Sequence, residues 1–328
     1  MSTRELGAKD LLTRDEIKAF TRTSDLGGAV AVIVNWAIIA GAFALIIAVP
    51  HPLTFIAAVI VLGGRQLALA VMMHEAAHGT LFRTRWLDDK LTDVLCARPV
   101  WSDVRRYRIH HLGHHAHTGT DKDPDLGLAP REPMTRGSLA RKIARDLTGV
   151  AGLRRVIALI LMDAGALAYN VGATSADLVG GGYKTKWAKK APWAYAWSFL
   201  KHTWLVWLTN AAMAVALSAL GAGWAYLAWP VAWLTTFGLF LRIRMLAEHA
   251  CRERGPDILR NTRTTYANLI ARATVAPLHV NYHLEHHLLP TTPWFRLPAL
   301  HRTLVERGAL PPGATARGYT EVLATVSH

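Results

Sequence analysis

Residues 29–49 carry no charged side chain, and three further apolar stretches follow at 53–73, 199–220 and 222–241. An uncharged run of about 20 residues is long enough to cross a bilayer as one helix. Within lipid the backbone has to satisfy its own hydrogen bonds, which a helix does. Pro50, His51 and Pro52 break the chain between the first two stretches, and a charge-free turn containing Gly221 joins the last two. The expected fold is therefore all-α and integral to a membrane, with four transmembrane helices in two hairpins. Arg65 interrupts the second stretch and would cost roughly 2.5–3.5 kcal/mol at the bilayer centre, so it is expected to face protein.

Composition fits this reading: 52% of the 328 residues are hydrophobic and only 18% charged, against about 25% in a typical globular chain. Lys and Arg outnumber Asp and Glu by 37 to 23, an excess that short cytoplasmic loops of membrane proteins carry. These charges sit between apolar blocks without a nucleic-acid-binding fingerprint, so no nucleic-acid partner is expected. Cys96 and Cys251 are too few for a disulfide framework or a cysteine metal site.

Residues 1–28 are polar and lack the apolar core of a secretory signal. Thr13 and Glu16 form a capping-box pattern, and Leu12, Ile17 and Phe20 give the helix after it an apolar stripe, expected to rest on the cytosolic membrane surface. The catalytic domain is expected over 29–301, with a cytosolic helical cap formed by 74–198 and 242–301 and a tail at 302–328. Both termini and the cap are assigned to the cytoplasmic side. Within the cap, residues 156–172 are apolar but interrupted by Asp163 and preceded by Arg154 and Arg155, which suggests an interfacial helix. Trp193, Trp197, Trp204, Trp207, Trp224, Trp229 and Trp233 cluster near the ends of the second hairpin, where interfacial anchoring is expected.

Histidine distribution carries the functional signal. Of sixteen His residues, His74 and His78 follow the second apolar stretch, His110 to His117 hold five more, and His279 to His287 hold four. Residues at i, i+3 and i+4 share a helix face. His74 with His78, His111 with His114 and His115, and His283 with His286 and His287 therefore each aim imidazoles one way. Eight imidazoles exceed what one metal ion takes, so two metals are implied. Imidazole suits zinc, copper, iron and nickel alike, but an apolar setting favours a redox metal, because zinc cannot activate oxygen for attack on a lipid C–H bond.

The segments HEAAHGTLF (74–82), YRIHHLGHHAHTGTDKDPDL (107–126) and NYHLEHHLLPTTPWFRLPALH (281–301) resemble the three histidine boxes of membrane fatty acid desaturases and hydroxylases, from about Arg65 to His301. The resemblance implies four spans, a cytosolic cap and two irons held by His74, His78, His111, His114, His115, His283, His286 and His287. His249, after the last span, matches a further family ligand. His279 is a weaker substitute, and His110 and His117 are expected as supporting or surface groups. Glu75, Glu248 and Glu285 adjoin ligands and Asp103 and Asp125 lie near the second box, so these acids are expected to bond the imidazole N–H groups.

By resemblance the reaction is O2-dependent desaturation of a fatty acyl or similar lipid chain, the alternative being hydroxylation or ketolation of a lipid, sphingoid or carotenoid. Three residues between the first two His suit the acyl-lipid desaturase, hydroxylase and ketolase branch. The third box begins with His rather than Gln, which argues against enzymes fused to cytochrome b5. Electrons are expected from a ferredoxin or cytochrome b5-type carrier and its reductase, docking on the basic face. The motif Asn261–Thr265 tilts the choice toward desaturation. Two rivals compete: His74-Glu75-Ala76-Ala77-His78 is also the HExxH of zinc metalloproteases, and a His-lined metal transporter would place ligands within the spans. The first leaves two boxes unused, and the second does not fit boxes lying beyond the spans.

Overall fold

The computed structural model describes residues 7–171 and 191–328, so residues 172–190 of the expected cap lie outside it. After one turn at Ala8–Leu11, helix α1 (Arg14–Phe20) opens where Glu16 N donates to Thr13 Oγ1 at 3.3 Å and Thr13 N donates to Glu16 Oε2 at 2.8 Å. This is the reciprocal cap that the sequence predicts. The apolar stripe meets protein rather than a membrane surface: Leu12, Ile17 and Phe20 pack with Leu288, Leu300 and Leu304, and Arg307 Nη2 lies 2.5 Å from Glu16 Oε1. Covering that stripe with apolar side chains removes it from water, which a separate interfacial helix would need lipid to do.

Helices α2 (Asp25–Ala48) and α3 (Pro52–His78) form the first hairpin. Pro52 opens α3, where a missing N–H costs nothing. The helix runs five residues past the expected span end at 73 and stops at Gly79, whose φ of 73° suits a left-handed C-cap. His74 and His78 thus ride on the last turns of a span-length helix. Arg65 donates Nη2 to Ala273 O at 2.6 Å, so it faces protein as expected.

Short irregular turns between Leu87 and Val100 lead to α4 (Val104–His117), α5 (Arg136–Leu147) and α6 (Val150–Asp163). Helix α6 buries Ala158 and Met162 and exposes Leu153, Ile157 and Ile160, the two-sided pattern of a helix with one face on protein.

Helix α7 (Pro192–Ala219) is followed by a tight turn at Gly223–Leu227 and by α8 (Ala228–Leu234) and α9 (Thr236–His249). The single helix expected over 222–241 is therefore broken. Thr235 leaves helical geometry at φ −116° and ψ −88°, and Thr236 Oγ1 donates to Val59 O on α3 at 2.8 Å. A Cβ at Gly63 would overlap Thr236, so the absence of a side chain there permits the close approach.

Among the described residues, three helical stretches are long and apolar enough to cross a membrane: Arg14–Ala48, Pro52–His78 and Gly223–His249. Helix α7, at 28 residues, has the length, but Lys201, His202, Asn210 and four tryptophans dilute its apolar character, and it is not among the three. The tryptophans divide. Trp193, Trp197, Trp204, Trp207 and Trp224 expose their rings, whereas Trp229 and Trp233 are buried and donate their indole N–H to Pro99 O at 3.2 Å and Val100 O at 3.1 Å. Those two hold the turn before α4 rather than anchoring at an interface.

The chain closes with α10 (His283–Leu288), α11 (Leu297–Glu306) and α12 (Tyr319–Thr325). Helix α11 runs through residue 302, where a tail was expected, and α12 packs Val322 with Leu246 and Ala247 of α9. A parallel pairing of β1 (Thr264–Thr265) with β2 (Thr315–Ala316) adds a little strand to an otherwise helical fold.

Candidate metal centre

Four segments far apart in sequence converge because their ends are tied together. Arg108 of α4 donates to Ala76 O at 2.7 Å and Ala77 O at 3.0 Å, capping the last carbonyls of α3. Arg263 does the same for α9 through Leu246 O, Ala247 O and Ala250 O at 2.9, 3.0 and 3.2 Å. Leu278 and His279, both at positive φ near 50°, turn the chain into α10.

The result is two adjoining groups of imidazoles. His74, His78, His111, His115 and His286 place one ring nitrogen each within 4.8 Å of one another. His114, His249 and His287 form a second group by the same measure, and His283 Nε2 lies 2.8 Å from His249 Nε2. His115 and His287 stack at 4.1 Å between ring centroids and link the two. All nine residues expected as ligands are thus together. Among the others, His110 pairs with Asp125 at 2.8 Å, His279 stacks on Trp294 at 6.0 Å and His117 is exposed.

The donor set fits metal ions. His115 Nε2 lies 3.0 Å from both His111 Nε2 and His286 Nε2. Metal–imidazole bonds of roughly 2.0–2.1 Å at angles of 90–109° separate two ligand nitrogens by about 2.9–3.4 Å. The buried Nε2 atoms of His74, His78 and His287 have no hydrogen-bond partner among the described residues, and such groups are costly unless something else meets them.

Tautomers follow from the partners in the second group. His114 Nδ1–H donates to Asp123 Oδ1 at 2.7 Å and His249 Nδ1–H to Asn261 O at 3.3 Å. Thr118 spends its hydroxyl proton on His114 O at 2.7 Å, so at 3.2 Å it accepts from His287 Nδ1–H. Each bond leaves an Nε2 lone pair for a metal. Burial, reinforced by neighbouring imidazoles, pushes His111, His115, His283, His286 and His287 well below the ordinary histidine value, which keeps them neutral. Burial acts the same way on His114, but the Asp123 hydrogen bond and the Asp125 charge outweigh it and raise its pKa.

The acids expected to support the ligands behave unequally. Glu248 Oε1 lies 3.4 Å from His283 Nδ1 but bonds Arg244 at 2.6 Å. Glu75 Oε1 lies 3.5 Å from His74 Nδ1, while its Oε2 accepts from Thr80 Oγ1 at 2.9 Å and Trp294 N at 3.0 Å. Asp125 comes no nearer than 3.9 Å to His114. Glu285 binds Thr264 and His301, the latter at 2.6 Å, and not the ring of a clustered histidine. Asp103 is a correction: it caps α4 and pairs with Arg98 at 2.5 Å. It lies eleven residues before His114, about 16 Å along the helix axis. Asp123, the most direct carboxylate partner, is not among the acids expected from the sequence, although the run of acids after the second box points toward it.

A cavity of 160 Å³ reaches the cluster, with His111, His114, His249 and His283 in its wall and Met73, Phe237 and Leu241 among its apolar residues. Span-length helices with a buried double imidazole cluster at their ends define a membrane protein built around a polyhistidine centre. The fatty acid desaturase family model matches residues 50–318, and the chain belongs to that family. It is 28% identical over 290 residues to dihydrorhizobitoxine desaturase of Bradyrhizobium elkanii, covering 84% of this chain and 74% of that protein. It is 25% identical over 258 residues to a β-carotene ketolase of Paracoccus sp., covering 77% and 81%. A β-carotene 4-ketolase of Haematococcus lacustris is 36% identical over 104 residues, 29% of this chain and 32% of that one. The chain is accordingly a membrane oxidoreductase.

Proposed function

We propose that this chain is a di-iron desaturase that uses O2 to remove two hydrogens from an unactivated carbon pair of a lipid-like substrate. The supporting observation is the pair of adjoining imidazole groups, five residues and four, with unpartnered nitrogens facing inward. In this reading His74, His78, His111, His115 and His286 hold one iron, and His114, His249, His283 and His287 hold the other. Iron would supply O2 activation, using two electrons from a ferredoxin or cytochrome b5-type carrier.

The protein's part is placement. Met73, Phe237 and Leu241 offer an apolar carbon a surface in the cavity that the histidines also line. Asp123, Asn261 and Thr118 orient three imidazoles through Nδ1 so that Nε2 faces inward. The net charge of +14 suits an acidic electron carrier. Helix α7 is assigned as the fourth span, with the cluster and both termini on the cytoplasmic side.

Hydroxylation or ketolation is the second reading, since two of the relatives above are named ketolases. Both outcomes share the first hydrogen abstraction. Expression in a lipid-producing host followed by mass spectrometry of total lipids separates them: loss of two hydrogens marks desaturation, and gain of an oxygen atom marks hydroxylation. An unchanged lipid profile from an iron-loaded, reduced enzyme would contradict both.

A further inference from the structure

We propose that Arg155 anchors an anionic group of the substrate, so that the enzyme takes a carboxylate-bearing amphiphile rather than a neutral hydrocarbon. The inference rests on the oxygenase reading and adds the chemistry of the substrate to it.

Arg155 projects from α6 into the same 160 Å³ cavity that the clustered histidines line. Its guanidinium lies over the rings of Trp233 and Phe237, 5.2 Å from each centroid. Its hydrogen bonding among the described residues is a single long contact, Nη1 to Trp233 O at 3.5 Å, at the outer limit for such a bond. No carboxylate among the described residues lies within salt-bridge distance of it. Asp146, the acid whose charge acts on Arg155, is engaged through both oxygens by Arg242.

Other arginines nearby are matched. Arg98 has Asp93 and Asp103, Arg106 has Asp163, Arg244 has Glu248, and Arg263 has three helix-end carbonyls. A guanidinium carries five N–H donors in a planar fork, and none of those of Arg155 is among the enclosed, unpartnered atoms of the described residues, as suits a group that lines a cavity. Trp233 and Phe237 hold the guanidinium of Arg155 by their ring faces, and a guanidinium stacked in this way can still receive a carboxylate bidentately along its edge.

The cavity beyond suits the rest of such a molecule. Val100, Trp101 and Trp233 border both this cavity and a second one of 410 Å³, whose wall is mainly apolar and is built from α7, α8 and the preceding turns. An anion held at Arg155 therefore has the imidazoles in the wall of its own cavity and an apolar compartment on the other side of Val100, Trp101 and Trp233.

The test uses the iron-loaded full chain in amphipol and calorimetric titration at neutral pH with octanoate, decanoate and hexadecanoate, each against the alcohol of equal length. The carboxylate is expected to bind at least about tenfold more tightly at one or more lengths. Arg155→Met should erase that preference, Arg155→Lys should keep part of it, and Arg154→Met, at an exposed neighbour, should keep it all. If Arg155→Met does not fold, Arg155→Gln reads the same preference. Absence of a carboxylate preference at every length, or its persistence in the folded Arg155→Met or Arg155→Gln protein, overturns the proposal while leaving the metal reading intact. A carboxylate preference that depends on Arg155, in a chain unable to take up iron, upholds the anion site and defeats the oxygenase reading instead.

Discussion

The two imidazole groups are assembled differently. The second, around His114, His249, His283 and His287, has Asp123 at 2.7 Å, Glu248 at 3.4 Å, a backbone carbonyl and a threonine hydroxyl on its outer nitrogens. The first, around His74, His78, His111, His115 and His286, has one carboxylate nearby, Glu75 at 3.5 Å, and that acid is held more closely by Thr80 and Trp294. The second site is set by hydrogen bonds and offsetting charge. The first is set by helix rigidity: α3 brings two rings from the hairpin, and Arg108 locks α4 against its end. Two ways of placing the same ligand type should fail in different ways.

The largest effect is expected from the first group. His286→Ala removes a ring whose Nε2 lies 3.0 Å from that of His115, in the group whose one nearby carboxylate, Glu75, is held more closely by Thr80 and Trp294. Turnover should vanish and bound iron should fall by at least half, measured by elemental analysis; retained activity would break the assignment. Asp123→Asn strikes the second group through an orienting partner. Loss of such a partner costs roughly 10–100-fold in metal affinity, so chelator competition should release one iron early while the other stays. Equal release of both would erase the distinction between the sites.

Glu285→Gln is smaller and different in kind. Its carboxylate joins Thr264 to His301 in a fully buried position, so about 1–3 kcal/mol of stability should be lost with iron content largely kept. Thermal unfolding beside iron analysis separates the two effects. Asp103→Asn should cost about 1 kcal/mol by weakening the α4 cap and its Arg98 pair, with metal content unchanged. A large loss of iron in that variant would mean that α4 is positioned from its start rather than from its histidine end.

Much of this arrangement was legible because helical spacing is strict: His111, His114 and His115 have to share a face, and an uncharged 29–49 has to become a long helix. Thr13 and Glu16 announced their cap for the same local reason. What escaped depends on distant partners. Trp229 and Trp233 look like interfacial anchors until the carbonyls of Pro99 and Val100 are seen beneath them. The break at Thr235 exists because Thr236 finds Val59 O across the gap at Gly63. Asp103 and Asp123 look equally close to the second box, yet a helix carries one away while the turn after Thr118 brings the other back. Asn261–Thr265 stands out in the sequence as a motif, but its role emerges only in three dimensions: Asn261 O meets His249, Arg263 caps α9 and Thr264 holds Glu285.

The central claim, that nine imidazoles enclose two redox-active ions, is tested most directly by iron X-ray absorption spectroscopy with elemental analysis on the purified, iron-reconstituted chain. Two irons per chain in nitrogen-dominated shells with imidazole scattering are expected, both diminished by His286→Ala. A lone zinc, or iron surrounded mainly by carboxylate oxygen, would contradict it.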